Sequence, residues 1–234
     1  AGRASVDRTW AYGHVVVDEA QELTPMQWRA VMRKCPSKSM TVVGDPAQRS
    51  APGAAASWEV ALAPHVQDRW RLTELTINYR TPQAIMNTAA AVLRAAGTAD
   101  STPISVRPGR WPVEVVTLTE PYADLVNCLV TEAAHIEFGT IGVIAEAEAL
   151  PAIANCIEQA SAADPRLSDG HVRATCYTPS QVKGLEFDSV LLFDPTSALQ
   201  ESANPIHDLY VAMTRPTQRL VVAAVYVLPD FLTA

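Results

Sequence analysis

Val15-Val16-Val17-Asp18-Glu19-Ala20-Gln21-Glu22, VVVDEAQE, is the stretch on which the fold turns. Three consecutive valines form a short apolar run, the pattern of a buried parallel strand. Two adjacent carboxylates follow at once. At the end of such a strand the pair can divide the work of phosphoryl transfer. Asp18 would hold Mg2+, directly or through water, and Glu19 would position or deprotonate an attacking water. The same pair also suits the start of a following helix, whose dipole attracts acids. Both readings are open on these eight residues alone.

Working outward, Thr24-Pro25 opens a helix, with Thr24 as N-cap and Pro25 at the first helical position. Met26, Trp28, Val31 and Met32 give that helix an apolar side, and Cys35-Pro36 ends it. A second apolar run, Met40-Thr41-Val42-Val43, ends at Gly44-Asp45-Pro46. Strand, helix, strand is a βαβ unit. The alternation continues to the C-terminus. Strands are expected at 14–17, 40–43, 72–77, 113–118, 141–145, 172–178, 190–193 and 220–225. Helices are expected at 25–35, 58–62, 81–96, 122–137, 148–160 and 205–213, and loops at 50–57 and 97–112. Such alternation predicts an α/β fold with a parallel, doubly wound sheet and right-handed crossovers. Ligands in such sheets sit at the carboxyl ends of strands.

The 234 residues suffice for one large domain or two small ones, and 48% hydrophobic residues supply a core. The net charge of −7, from 18 basic and 25 acidic residues, argues against autonomous nucleic-acid binding. Arg69, Arg71 and Arg80 are candidates for a local groove. No apolar run reaches the roughly 18–20 residues of a membrane span, and the N-terminus has no apolar signal core. Cys35, Cys128, Cys156 and Cys176 are scattered, without a C-x-x-C pair, and read as thiols in a reducing cytosol. A cytoplasmic location is expected. His14, His65, His135, His171 and His207 lack metal-ligand spacing.

Four further constellations carry chemistry. In Val42-Val43-Gly44-Asp45-Pro46-Ala47-Gln48, Gln48 can contact a γ-phosphate, or it is a plain turn residue. In Ile77-Asn78-Tyr79-Arg80-Thr81-Pro82, Arg80 at a strand–helix junction would point to the carboxyl edge and stabilise transition-state charge, with Tyr79 stacking on a base. The alternative is a surface arginine paired with a carboxylate. In Val182-Lys183-Gly184-Leu185-Glu186-Phe187-Asp188, Gly184 permits close backbone approach and Glu186 could accept from a ribose, or the segment is a turn between strands. In Leu209-Tyr210-Val211-Ala212-Met213-Thr214-Arg215-Pro216, Pro216 stops a helix and leaves Arg215 at its end, where it can also simply complement the dipole.

Taken in this order, the five stretches resemble the UvrD/Rep/PcrA group of superfamily 1 helicases: DEAQ as motif II, GDPAQ as III, NYR as IV, VKGLEFD as V and YVAMTRP as VI. The resemblance covers roughly residues 14–226 and implies a RecA-like P-loop NTPase fold. It implies that residues 1–71 are the tail end of the first motor domain and 72–234 the second, with no accessory domain inserted between motifs IV and V. By the same resemblance Asp18 is the Mg2+ ligand, Glu19 the catalytic acid and Gln48 the γ-phosphate sensor. Tyr79 would stack on adenine, Arg80 and Arg215 would be arginine fingers, and Lys183, Gly184 and Glu186 would form the ribose-binding loop. ATP and Mg2+ would bind in the cleft between two domains.

The sequence also departs from that group. No G-x-x-x-x-G-K-[ST] loop occurs in it, so the phosphate cradle is missing. The expectation is a C-terminal piece of a longer protein that hydrolyses no ATP alone and binds it poorly. Residues 49–57 carry no aromatic before Trp58, where translocating relatives stack bases, and Ser180 stands where motif V usually has a histidine. These departures match the HelD-like branch, motor ATPases that associate with bacterial RNA polymerase and release it from nucleic acid. A bacterial RNA polymerase partner, weak contact with single-stranded DNA and a monomer are expected. The competing expectations are a UvrD-type DNA helicase or repair translocase, and a motor-derived module that only binds a partner.

Overall fold

The computed structural model describes residues 10–49, 51–95, 97, 103–197, 204–228 and 232. Ser50, Ala96 and positions 98–102 of the expected loop lie outside the described residues. The chain divides into two compact units, Ala1–Glu74 and Leu75–Ala234.

In the N-terminal unit β1 (Val15–Val17) and β2 (Met40–Val42) pair in parallel, Val15 opposite Met40 and Val17 opposite Val42. Helix α1 (Pro25–Lys34) connects them and α2 (Trp58–Val66) follows. Val17, Ala20, Trp28, Met32, Ala61, Leu62 and Val66 form the core. Strand alternation sends Val15 and Val17 toward this core and Val16 away from it, so Val16 is exposed. Helix α1 starts with a capping box: Thr24 Oγ1 accepts from Gln27 N, and Gln27 Oε1 accepts from Thr24 N at 2.8 Å. Helix α2 runs to Val66, beyond the expected end at Leu62, and takes Pro64 into its last turn.

The C-terminal unit opens with β3 (Ile77–Asn78), α3 (Gln83–Ala95) and β4 (Ile104–Ser105). Then come β5 (Glu114–Thr117), α4 (Pro121–His135), β6 (Gly139–Ile144), α5 (Leu150–Ala163) and α6 (Pro165–Ser168). The last elements are β7 (Val172–Tyr177), β8 (Phe187–Phe193), α7 (Pro205–Met213) and β9 (Pro216–Ala224). β3 and β4 form a parallel pair of their own. The main sheet has the order β5-β9-β8-β6-β7, and every neighbouring pair is parallel. Leu125 and Leu129 of α4 and Ile153 of α5 pack with Ile141, Val143, Leu191 and Val221 of the sheet. The fold is therefore α/β with a parallel sheet.

One buried ion pair crosses this architecture at the amino ends of three strands. Arg219 on β9 grips Glu132 of α4 with two bonds, 2.8 and 2.7 Å. Ser189 of β8 donates to the same carboxylate at 2.6 Å, Glu114 of β5 takes Arg219 Nη2 at 3.1 Å, and the Trp111 ring lies 4.5 Å from the guanidinium. The hydrogen bonds to Glu132 push the Arg219 pKa up despite burial.

Candidate functional site

The acid pair follows β1 directly. Glu19 adopts a left-handed backbone, φ 50°, and its N–H donates to Asp18 Oδ1 at 2.9 Å. This turn leads into a 3-10 turn at Ala20–Glu22. The acids do not serve α1: that helix begins at Pro25, is capped by Thr24 and has no acid in its first turn. Both Asp18 and Glu19 are exposed.

Gln21, absent from the sequence-based candidates, is the buried joint of this region. Its Nε2 donates to Glu19 Oε2 at 2.6 Å, and its Oε1 accepts from Asp45 N at 3.1 Å. Ala20 N donates to Val43 O at 3.0 Å beside it. Gly44 makes room for this joint, because a Cβ there would lie 2.2 Å from Gln21 Oε1. Asp45 then organises the 3-10 turn Pro46–Gln48, accepting from Ala47 N and from Gln48 Nε2, both at 2.9 Å. Asp18, Glu19 and Gln48 thus share the carboxyl ends of β1 and β2, joined through Gln21 and Asp45. The available signal for Gln21 was its place two residues after Glu19, next to a buried alanine.

Among the described residues no group of three His, Cys, Asp or Glu is placed to hold a metal. Asp18 offers a single carboxylate beside its own loop. That donor set suits Mg2+, which keeps several waters and borrows phosphate oxygens instead of needing an all-protein cage.

In the C-terminal unit Asn78 Oδ1 accepts from Arg80 N at 2.8 Å and Thr81 N at 2.9 Å, an Asx turn between β3 and α3. Arg80 Nη1 meets Glu186 Oε1 at 2.7 Å, across 106 positions of sequence. Arg107 Nη1 holds Arg80 O at 2.6 Å from behind, and Ser105 Oγ holds Thr81 O at 2.6 Å. Thr81 Oγ1 donates to Thr214 O at 3.4 Å, and Phe187 N donates to Arg215 O at 3.2 Å. Three separated sequence stretches therefore converge. Tyr79 stands exposed beside them, and Gly184 takes φ 71° in the exposed turn before β8, next to half-buried Lys183. Arg215 is buried: its Nε donates to Val211 O at 3.0 Å and its Nη2 to Thr214 Oγ1 at 3.3 Å. It satisfies the end of α7, the dipole-complementing arrangement.

Arg80 follows the carboxyl end of β3, at the junction with α3, and its guanidinium pairs with Glu186, the carboxylate-paired arrangement. Glu186 and Arg215 immediately precede β8 and β9, so they lie at the amino ends of those strands.

The family model of the viral superfamily 1 RNA helicase core domain matches residues 5–224. The chain belongs to this family. Its RecA-like α/β fold agrees with the parallel sheet. No curated protein sequence matches the chain. Among solved structures it is similar to the C-terminal domain of a possible DNA helicase from Lactobacillus plantarum, with 20% identity over 66% of this chain and 92% of that one, TM-score 0.46. It is similar to the PRRSV helicase, with 18% identity over 90% of this chain and 34% of that one, TM-score 0.49. It is also similar to an arterivirus nonstructural protein 10 helicase solved with DNA, with 16% identity over 92% and 40% of the two chains, TM-score 0.47. The helicase core chain thus spans about two fifths or less of those viral proteins. Among the described residues no helix is long and apolar enough to cross a membrane, and the four cysteines are free thiols.

Proposed function

We propose that the chain carries motifs II to VI of an ATP-hydrolysing superfamily 1 motor, and that the complete protein remodels bacterial RNA polymerase–nucleic-acid complexes in the cytoplasm, as the HelD-like branch does. The observation that carries the motor reading is the convergence of Asn78–Thr81, Glu186 and Thr214-Arg215 on one another through hydrogen bonds. In this reading residues 1–71 supply the acids of the first motor domain and 72–234 the arginines of the second. Asp18 holds Mg2+, which neutralises phosphate charge when bound. Glu19 orients the attacking water, and its contact with Gln21 fixes where its carboxylate sits. Gln48 reports the γ-phosphate, Tyr79 stacks on adenine, and Lys183, Gly184 and Glu186 border the ribose. Arg80 and Arg215 act as arginine fingers. Each must exchange its present partners for phosphate oxygens: Glu186 for Arg80, and the end of α7 for Arg215.

Two features support a polymerase complex over a single strand as the working surface. Residues 49–57 contain no aromatic on which bases stack. Residues 75–234 carry nine Lys and Arg against 17 Asp and Glu, an unfavourable balance for phosphate backbones. ATPase assays on a protein that joins this chain to a complete phosphate loop test the proposal. Stimulation by core RNA polymerase, surviving nuclease treatment, is expected. Strong stimulation by single-stranded DNA and none by polymerase would instead mark a DNA translocase. The 234 residues alone are expected to show no magnesium-dependent ATP turnover, and measurable turnover would overturn that part.

A further inference from the structure

The carboxyl edge of a doubly wound sheet is where such folds place ligands. None of the helicase motif residues of the C-terminal unit uses that edge of the main sheet. A cavity of about 160 Å3 opens there. Tyr122 reaches it from the first turn of α4 after β5, Glu146 from the end of β6, Phe193 and Asp194 from the end of β8, and Val225 from the end of β9. Four strand ends thus feed one notch.

Asp194 is its unusual member. It holds a left-handed backbone, φ 40°, which side chains other than glycine adopt at a cost and which clusters at binding sites. Its N–H donates to Ala223 O at 2.8 Å, and its Oδ2 accepts from Ser197 Oγ at 2.6 Å. Its Oδ1 is buried and has no hydrogen-bond partner. A carboxylate oxygen in that position calls for a donor. Next to it the Tyr122 and Phe193 rings stack, 5.7 Å apart at 23°, and Tyr122 stays 44% exposed.

We propose that this notch receives an arginine side chain presented by a protein partner. A guanidinium is flat enough to lie on the Tyr122 ring and carries donors in a fork that matches a carboxylate. A lysine ammonium lacks the plane and is held more strongly by water. Anionic ligands are disfavoured by the carboxylates of Asp194 and Glu146 and by the acidic balance of the unit. The inference is independent of the motor reading, because none of its residues belongs to a helicase motif.

The test is amide chemical-shift titration of the 234-residue chain with the peptide acetyl-Gly-Arg-Gly-amide and with its citrulline counterpart, which keeps the shape and loses the charge. The arginine peptide is expected to shift the Tyr122, Phe193 and Asp194 resonances and to bind about tenfold or more tightly than the citrulline peptide. Asp194→Asn tolerates the left-handed backbone and should abolish that preference while the thermal midpoint is kept or raised. Equal binding of both peptides, undiminished preference in the Asp194→Asn chain, or no shift with either peptide would overturn the proposal. So would shifts of the same resonances by a thymidine oligonucleotide and not by the arginine peptide.

Discussion

Gly44 shows how one missing side chain holds the acid region together. Its would-be Cβ meets Gln21 Oε1 at 2.2 Å, the Trp58 ring at 3.0 Å and Ala20 N at 3.1 Å. Two of these neighbours belong to the turn that follows Asp18 and Glu19, and Ala20 N is already committed to Val43 O. Gly44→Ala is therefore expected to displace Gln21 and lower stability by about 1–3 kcal/mol, the usual range for overpacking. Urea denaturation of the chain measures this, and an unchanged midpoint would show that Gln21 swings aside freely. The Arg80–Glu186 pair is a different case. Both side chains are over a third exposed, so the contact adds little stability. Its importance is positional, because it brings two motifs to one place.

At the scale of elements, the Glu132–Arg219 pair ties α4 to β9. Glu132→Leu would leave a buried guanidinium without its main partner, and a loss of about 3–5 kcal/mol is expected. Glu132→Leu combined with Arg219→Met should recover most of it, since both charges leave the interior together. Comparing thermal midpoints of the single and double variants decides the point. The start of α4 gives a pH signature. Asp124 accepts from the backbone N–H of Glu120 and Thr119 and from the Thr119 hydroxyl, and these bonds, Glu120 first, hold its pKa below the ordinary carboxylate value. A folded-state pKa below the unfolded one gives stability that is complete above the ordinary carboxylate range. That stability is lost as pH falls through the folded value. Asp124→Asn should flatten this acid limb and leave neutral-pH behaviour little changed, as pH-dependent melting will show.

The sequence made most of these elements legible where apolar periodicity is strong. The runs at 40–43 and 190–193 became β2 and β8, and Thr24-Pro25 became the cap of α1. The expected strand at 72–77 shrank to Ile77–Asn78, because Leu72 and Leu75 have hydrophobicity but no neighbouring strand to pair with, and both are exposed. β4 escaped notice because two residues amid Gly and Pro show no period. Glu132 and Arg219 escaped for another reason: each looks like an ordinary surface charge until its partner, 87 positions away, is known. In the candidate site the motif residues were legible, while Gln21 and Arg107, which hold them, were not.

At the scale of the molecule, residues 67–76 are exposed apart from Trp70 and contain no helix or strand. This stretch spans the boundary between the two units. Brief trypsin treatment should cut first after Arg69 or Arg71 and leave a C-terminal fragment beginning at Trp70 or Leu72, identifiable by mass spectrometry. First cuts inside α4 or β6 would contradict that. The strand order of the main sheet has a consequence for synthesis. Among the described residues β5 pairs with β9 alone, and β9 ends at Ala224, so β5 leaves the ribosome roughly a hundred residues before the strand that pairs with it. The sheet cannot close until β9 has been made. During that interval Val115 and Val116 lack the partners Val222 and Ala223, and an unpaired apolar strand of this kind is what exposes a folding chain to aggregation.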